Sequence, residues 1–154
     1  MSIWLALLAI ALLLIASTVA GAVWRARRGR LVGAGSQPRV EAARLGIELG
    51  KRATLLQFST RTCAHCGPAR AGLARLAAAL PGVAHREVDL TDDLATAQRY
   101  DVRQTPTLFV LDARGRLLRR SAGPPRLEEL AEFLASLSSE RPVEAVKERH
   151  AHAI

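Results

Sequence analysis

The N-terminal apolar run is the feature that most constrains this chain. From Ile3 to Trp24 the sequence "IWLALLAIALLLIASTVAGAVW" contains no charged residue. A helix rises about 1.5 Å per residue, so this run is long enough to cross a hydrocarbon core of about 30 Å. Trp4 and Trp24 stand at its two ends, where indole rings favour the membrane interface. The run therefore predicts a single transmembrane helix over residues 3–24.

A cleaved signal peptide is the alternative interpretation of this run. The residues "AGA" at positions 20–22 resemble a cleavage site. Signal peptides, however, begin with a basic region and have a shorter apolar core of about 7–15 residues. Here nothing basic precedes the run except the amino terminus, and the run is too long. We therefore favour an uncleaved membrane anchor.

The charge distribution sets the expected topology. Of the net charge of +8, residues 25–52 supply +6, with eight basic and two acidic residues. The positive-inside rule keeps a basic flank in the cytoplasm. We expect a single-pass protein of the cell membrane with a cytoplasmic soluble domain, and an extracytoplasmic domain is the alternative. No RNA-binding signature or aromatic platform follows the basic block, which argues against nucleic-acid binding. The flanking arginines are Arg25, Arg27, Arg28 and Arg30.

Periodicity divides the rest of the chain into three parts. A composition of Arg, Gly, Ser and Pro predicts a basic flexible linker over residues 25–44. The pattern over residues 45–137 predicts the element order β–α–β–α–β–β–α, which is an α/β fold with a mixed sheet. The last strand is expected at a sheet edge, with Arg119 and Arg120 in solvent. The charged tail, residues 138–154, is expected to be flexible.

The only two cysteines, Cys63 and Cys66, lie between a predicted strand and the helix that follows it. Zinc requires about four ligands, and haem attachment requires a His where this chain has Gly67. An inert structural pair is a further alternative. The placement favours redox chemistry, because a helix N-terminus stabilises a thiolate. We predict that Cys63 attacks and Cys66 resolves, and that Pro68 delays or kinks the helix.

Three segments together resemble the thioredoxin fold. They are the strand "TLLQFS", the "CAHC" that opens a helix, and "TPTLFVLDARGRL" about 40 residues later. The resemblance covers roughly residues 45–137 and implies a three-layer sandwich around a mixed central sheet, here preceded by one transmembrane helix. It also implies that Pro106 is cis and faces the cysteines, and that Thr105 offers its backbone to a substrate chain.

The chain departs from the thioredoxin pattern around the cysteines. Thioredoxins usually have a buried Asp where this chain has Gln57, and a Trp where it has Thr62. The residues between the cysteines are Ala64 and His65 instead of Gly-Pro. His65 resembles the His before the second Cys of protein disulfide isomerases. That resemblance implies a couple more oxidising than thioredoxin, whose potential is about −270 mV.

These observations predict a membrane-tethered thiol–disulfide oxidoreductase of the protein-disulfide reductase type. Its partners would be protein disulfides and a protein electron donor or acceptor, in a role in cell redox homeostasis. We expect no organic cofactor, because the dithiol itself carries two electrons, and no bound metal. Arginine outnumbers lysine 20 to 2, which is typical of a GC-rich, bacterial genome. The alternative is a thioredoxin-fold scaffold, or a module that carries a soft metal such as Cu(I) without turnover.

Overall fold

The computed structural model describes residues 3–27, 29–33 and 39–139. Helix α1 spans Ile3–Arg27, one turn beyond the predicted end of the apolar run. Its segment Ile3–Val23 is the one helical stretch in the described residues that is long and apolar enough to cross a membrane. None of that stretch is buried against the rest of the protein. The apolar side chains of this stretch are therefore uncovered.

The domain that follows has a five-stranded mixed sheet, in the order β1–β5–β4–β2–β3, with helices on both faces. Only β2 and β3 run parallel, joined through α2, and the other neighbours are antiparallel. This confirms the predicted mixed-sheet fold and its order of elements. The elements are β1 (Val32–Gly33), β2 (Ala53–Ser59), α2 (Cys66–Ala79), β3 (Val83–Asp89), α3 (Leu94–Arg99), β4 (Thr107–Asp112), β5 (Leu117–Ala122) and α4 (Leu127–Ser139).

Strand β2 lies at the centre of the core. All seven of its residues are buried, because helices or connecting segments cover both faces of the sheet. On one face Leu55 packs with residues of α2 and α4. On the other, Phe58 meets Phe109 edge to face, with ring centroids 5.1 Å apart, and Tyr100 completes the cluster. The segment that follows β2 is therefore anchored to a fully buried strand.

The predicted linker, residues 25–44, contributes to the fold in its described part. Strand β1 pairs antiparallel with β5, and Leu31 packs against the core. A two-residue strand has no alternation to detect, so apolar periodicity could not predict it. Residues 28 and 34–38, including most of the Gly- and Ser-rich stretch, lie outside the described residues.

Strand β5 is not the sheet edge that the sequence predicts, because β1 covers it. Val32 pairs with Arg120 and Gly33 with Arg119. Both arginines are half-buried and lie over aromatic rings: Arg119 is 4.7 Å from the centroid of Phe133, and Arg120 is 5.2 Å from that of Phe109. Their guanidinium groups therefore pack by cation–π contact, which the prediction of solvated side chains missed. Of the predicted tail 138–154, the first two residues end α4 and the rest lie outside the described residues.

Candidate active site

Cys63 and Cys66 form a disulfide at the end of β2, with their Cα atoms 5.5 Å apart. Two successive turns shape the segment between strand and helix: the Cys63 amide donates to the Thr60 carbonyl, and the Cys66 amide donates to the Cys63 carbonyl, both at 3.2 Å. Cys66 is 2% exposed, whereas Cys63 is only partly buried. Cys63 is therefore the sulfur that a second molecule can reach.

Helix α2 begins at Cys66 and not at the first cysteine. Pro68 is consequently the third helical residue, in the turn whose amides have no partner within a helix. Pro68 therefore removes no hydrogen bond from the helix. The delayed helix start does occur, and it places the helix N-terminus at Cys66, one of the two disulfide-bonded residues. His65 is the N-cap residue, and its exposed side chain makes no capping hydrogen bond.

The loop before β4 lies beside the cysteines. Strand β4 pairs with β2 so that Thr107 is opposite Phe58, which brings Thr105 and Pro106 to the edge where β2 ends. The Thr105–Pro106 peptide is cis, as the resemblance implies. The hydroxyls of Thr60 and Thr105 are hydrogen-bonded at 3.1 Å and join the two loops.

A cavity of about 380 Å³ opens beside the disulfide. Both sulfur-bearing residues line it, so a group bound there would lie against the reacting atoms. Its charged lining is balanced, with two guanidinium and two carboxylate groups. Within the described residues, no cluster of three or more His, Cys, Asp and Glu side chains is placed to hold a metal. The charged residues of the cavity are Arg61, Arg70, Glu87 and Asp89.

Gln57 occupies the buried position beneath the cysteines. Its Nε2 donates to the Cys66 carbonyl at 3.0 Å, and a carbonyl can only accept, so this contact fixes the orientation of the amide. The other amide atom, Oε1, is buried without a hydrogen-bond partner among the described residues. The site thus holds a neutral hydrogen-bond acceptor, Oε1 of Gln57, in the side chain that contacts the buried Cys66.

Glu87 is a polar residue of the cavity that the sequence did not reveal. It lies on β3 directly opposite Gln57, with 22% of its side chain exposed. Its carboxylate accepts from both Nε and Nη2 of Arg70 on α2, at 2.5 and 2.8 Å. Burial raises the pKa of Glu87. Hydrogen bonds from Arg70 and Ser59 and the positive charge of Arg70 lower this pKa by more than burial raises it, so the net pKa is below its ordinary value. Glu87 is therefore a carboxylate at neutral pH.

His85, two residues before Glu87 on β3, borders this ion pair. Burial lowers the pKa of His85, the carboxylate of Glu87 opposes that effect, and the charges of Arg70 and Arg86 reinforce it. The net pKa lies below the ordinary value, which keeps the imidazole neutral at pH 7. The positive charge beside Glu87 therefore comes from the guanidinium of Arg70.

The comparisons with known proteins agree with this geometry. The sequence model of the family described as Thioredoxin matches residues 44–136. No match was found among curated proteins.

Three solved structures give the following likenesses. Malaria parasite thioredoxin-2, described as a component of protein secretion machinery, superposes with a TM-score of 0.52 at 18% identity, over 59% of this chain and 88% of its own. Trxlp from Edwardsiella tarda gives a TM-score of 0.50 at 25% identity, over 64% and 96% of the two chains. A further malarial protein gives a TM-score of 0.50 at 19% identity, over 55% and 96%.

Proposed function

The chain belongs to the thioredoxin family, and on that premise we propose that it is a membrane-tethered thiol–disulfide oxidoreductase acting on protein substrates through Cys63 and Cys66. One observation carries the proposal. The pair spans the junction of a buried strand and a helix N-terminus, beside the Thr105–Pro106 loop and a cavity open to solvent. That junction is where a thiolate is stabilised and where a substrate chain finds room.

In the reducing direction, the Cys63 thiolate attacks one sulfur of a substrate disulfide. A mixed disulfide forms, and the other substrate sulfur leaves as a thiolate. The Cys66 thiolate then attacks the Cys63 sulfur, the Cys63–Cys66 bond forms, and the second substrate sulfur leaves. Two electrons pass from the dithiol to the substrate, and the dithiol of a protein donor returns them. The greater exposure of Cys63 supports this order of attack.

Thr105 is proposed to bind the substrate chain through its backbone, as an added strand beside the disulfide. Its position at the edge where β2 ends and β4 begins supports this role. The hydrogen bond to Thr60 holds the loop in register with the cysteines. Pro106 is buried and forms the inner end of this docking segment.

Membrane attachment is proposed through α1, on the strength of its apolar span Ile3–Val23. The arginines that follow favour a cytoplasmic domain, and an extracytoplasmic one is the alternative. A reporter that is active only outside the cytoplasm, fused to the C-terminus, tests this orientation. We expect no reporter activity, and strong activity would reverse the assignment.

Reduction of insulin disulfides tests the activity. The full chain in detergent, supplied with a small dithiol, should reduce insulin faster than the Cys63→Ser variant. Equal rates for the two proteins would refute the oxidoreductase proposal. For the reduction potential of the cysteine pair, we expect wild type to equilibrate with glutathione at a higher potential than His65→Ala. The reason is the resemblance of His65 to the His of protein disulfide isomerases, which implies a more oxidising couple. Coincident potentials would exclude His65 as the tuning residue.

A binding module without turnover is the second candidate. Gln57 favours it, because a neutral amide replaces the carboxylate that thioredoxins use to deprotonate the resolving thiol. Such a module would hold a soft metal such as Cu(I) between its two thiolates. Tight Cu(I) binding that is lost in Cys63→Ser, together with no insulin reduction, would decide for this candidate.

A further inference from the structure

The cysteines and the attachment point of α1 lie at the same edge of the sheet, meaning the same end of its strands. Strand β2 ends at this edge, and because β4 is antiparallel to β2 and β5 to β4, β4 begins there and β5 ends there. The register makes this explicit: Phe58 is opposite Thr107, and Thr107 is opposite Ala122. Gly123, the next residue, donates from its amide to the Pro106 carbonyl at 2.8 Å. We call this the cysteine edge.

The chain enters the domain at the cysteine edge. The Gly29 amide donates to the Ala122 carbonyl at 3.0 Å, and the Arg126 amide donates to the Gly29 carbonyl at 3.4 Å. Gly29 has φ +74°, and a Cβ there would overlap the carbonyl oxygen of Pro124. Only glycine combines that backbone conformation with so close an approach.

A second set of contacts fixes the same joint. The Leu31 amide donates to the Glu129 carboxylate at 3.1 Å, the Leu31 side chain packs against the core, and β1 pairs with β5. Both Gly29 and Leu31 are therefore tied to the domain immediately after α1. This joint fixes the place at which the chain that follows α1 meets the domain.

The apolar span of α1 ends only a short distance before the domain begins. The apolar span ends at Val23 and α1 at Arg27, so about 6 Å of helix separates them. Across the sheet, β5 and β2 are two strand spacings apart, which is roughly 10 Å. None of the apolar span is buried, and the C-terminal part of α1 lines a cavity together with Arg126, which follows β5 at the cysteine edge. The opposite edge lies one length of β4, roughly 20 Å, from the cysteine edge.

We propose that the cysteine edge faces the bilayer and that the substrates are membrane-anchored proteins whose reacting disulfide lies close to the membrane surface. This rests on the proposed function, since it needs both the anchor and the exchange chemistry. In this orientation the exposed cysteine, Cys63, faces a chain that lies at the membrane surface. Leu94, 69% exposed at the start of α3, lies on the same edge and offers an apolar contact to such a chain.

Two single-cysteine proteins test the orientation without any need for activity. One carries a fluorophore on Cys63 in Cys66→Ser. The other carries it at the opposite edge, on Ala113→Cys with both native cysteines replaced by Ser. In vesicles whose headgroups bear a short-range nitroxide quencher, the label at 63 should be quenched several-fold more strongly than that at 113. Equal quenching, or stronger quenching at 113, would overturn the orientation. Failure of either protein to float with the vesicles would overturn the anchor and this inference together.

Substrate preference is tested with disulfide peptides anchored in the same vesicles by a short or a long flexible spacer. Wild type should act several-fold faster on the short-spacer peptide, because only that peptide keeps its disulfide near the surface. Gly29→Ala, which breaks the joint, should lose this ratio, whereas Gly33→Ala, which has open space around it, should keep it. Equal wild-type rates on the two peptides would refute the substrate class. Turnover of neither peptide and no reduction of insulin would instead refute the proposed activity, while the label result would still decide the orientation.

Discussion

Two regions flank the disulfide, and they relate differently to the thioredoxin pattern. The floor, which consists of Gln57, Arg70 and Glu87, has a neutral amide where thioredoxins have a buried Asp, and its carboxylate comes from the neighbouring strand. The mouth, formed by Thr60, Thr105 and Pro106, keeps the cis proline of that pattern, and a hydrogen bond between the two threonine hydroxyls joins its loops. One region has changed its chemistry, and the other has not.

The difference separates two demands on such a site. In the proposed reaction an extended chain would bind to the backbone of the mouth, which side-chain substitutions in the floor do not touch. Proton transfer to and from Cys66 would take place at the floor, where the carboxylate of Glu87 is already engaged by Arg70. We therefore expect substitutions in the floor to change rates and pH dependence, and substitutions in the mouth to change substrate affinity.

The largest effect is expected from Gln57→Asp, which returns a carboxylate to the floor. It should speed release of a mixed disulfide by about 10²-fold or more, the usual contribution of a positioned base. The matched control is Gln57→Asn, which is neutral and should give no such gain. Single-turnover kinetics with a fluorescent disulfide measure the step. An equal rate in both variants would show that the floor does not limit resolution.

The same substitution should cost stability in a pH-dependent way. Burial and the charge of Glu87 would raise the pKa of the introduced carboxylate above its unfolded value of about 3.9. Relative to Gln57→Asn, the loss is then absent at low pH and grows as pH rises through the raised pKa. Urea unfolding of the full chain in detergent should show a loss of stability that grows as pH rises. A loss that shrinks as pH rises would mean that the new carboxylate is solvated or paired.

Glu87→Gln should have an intermediate effect. Because the folded pKa of Glu87 is lowered, the stability it contributes is present above its ordinary value of 4.5 and is lost as pH falls through the folded pKa. The wild-type advantage should thus be about 1 kcal/mol or less at neutral pH, since Arg70 is largely exposed, and should shrink on acidification. The pH midpoint of thiol attack should also fall, because Arg70 is left unopposed beside the thiols.

Asp112→Asn is the control for Glu87→Gln. Burial raises the pKa of Asp112, but hydrogen bonds from Arg116 and Arg114 prevail and the net pKa is lowered. This carboxylate lies at the opposite end of β4, away from the disulfide. Removal of this carboxylate should lower the free energy of unfolding in urea with the same pH dependence as Glu87→Gln. It should leave the pH–rate profile unchanged. A shifted profile in both variants would mean that the effect is not specific to the floor.

Thr105→Val should have the smallest effect, and it probes the mouth. It removes the hydrogen bond to Thr60, which contributes about 1 kcal/mol. We expect a higher KM for a peptide disulfide with an unchanged reduction potential, and Thr105→Ser, which retains a hydroxyl, should behave as wild type. A changed potential with an unchanged KM would reverse the roles assigned to floor and mouth.

Local patterns predicted most of the fold, and long-range register accounts for what they missed. The buried run of β2, the helix after the cysteines and the final hairpin follow from apolar periodicity and turn residues. The pairing of Gln57 with Glu87 does not, because it depends on the register between two parallel strands joined through a helix. The joint at Gly29 was missed for a similar reason, since a glycine in an Arg-rich stretch gives no sign of the carbonyl it will meet.

The docked joint also determines where the chain can be shortened for work in solution. A version that starts at residue 45, where the sequence places the domain, would lack β1, would leave the outer side of β5 without a partner and would remove Leu31 from the core. An unpaired strand edge promotes association with other chains. A version that starts at Gly29 keeps these contacts and omits only the apolar helix. The natural first residue of the soluble unit is therefore 16 positions earlier than composition places it.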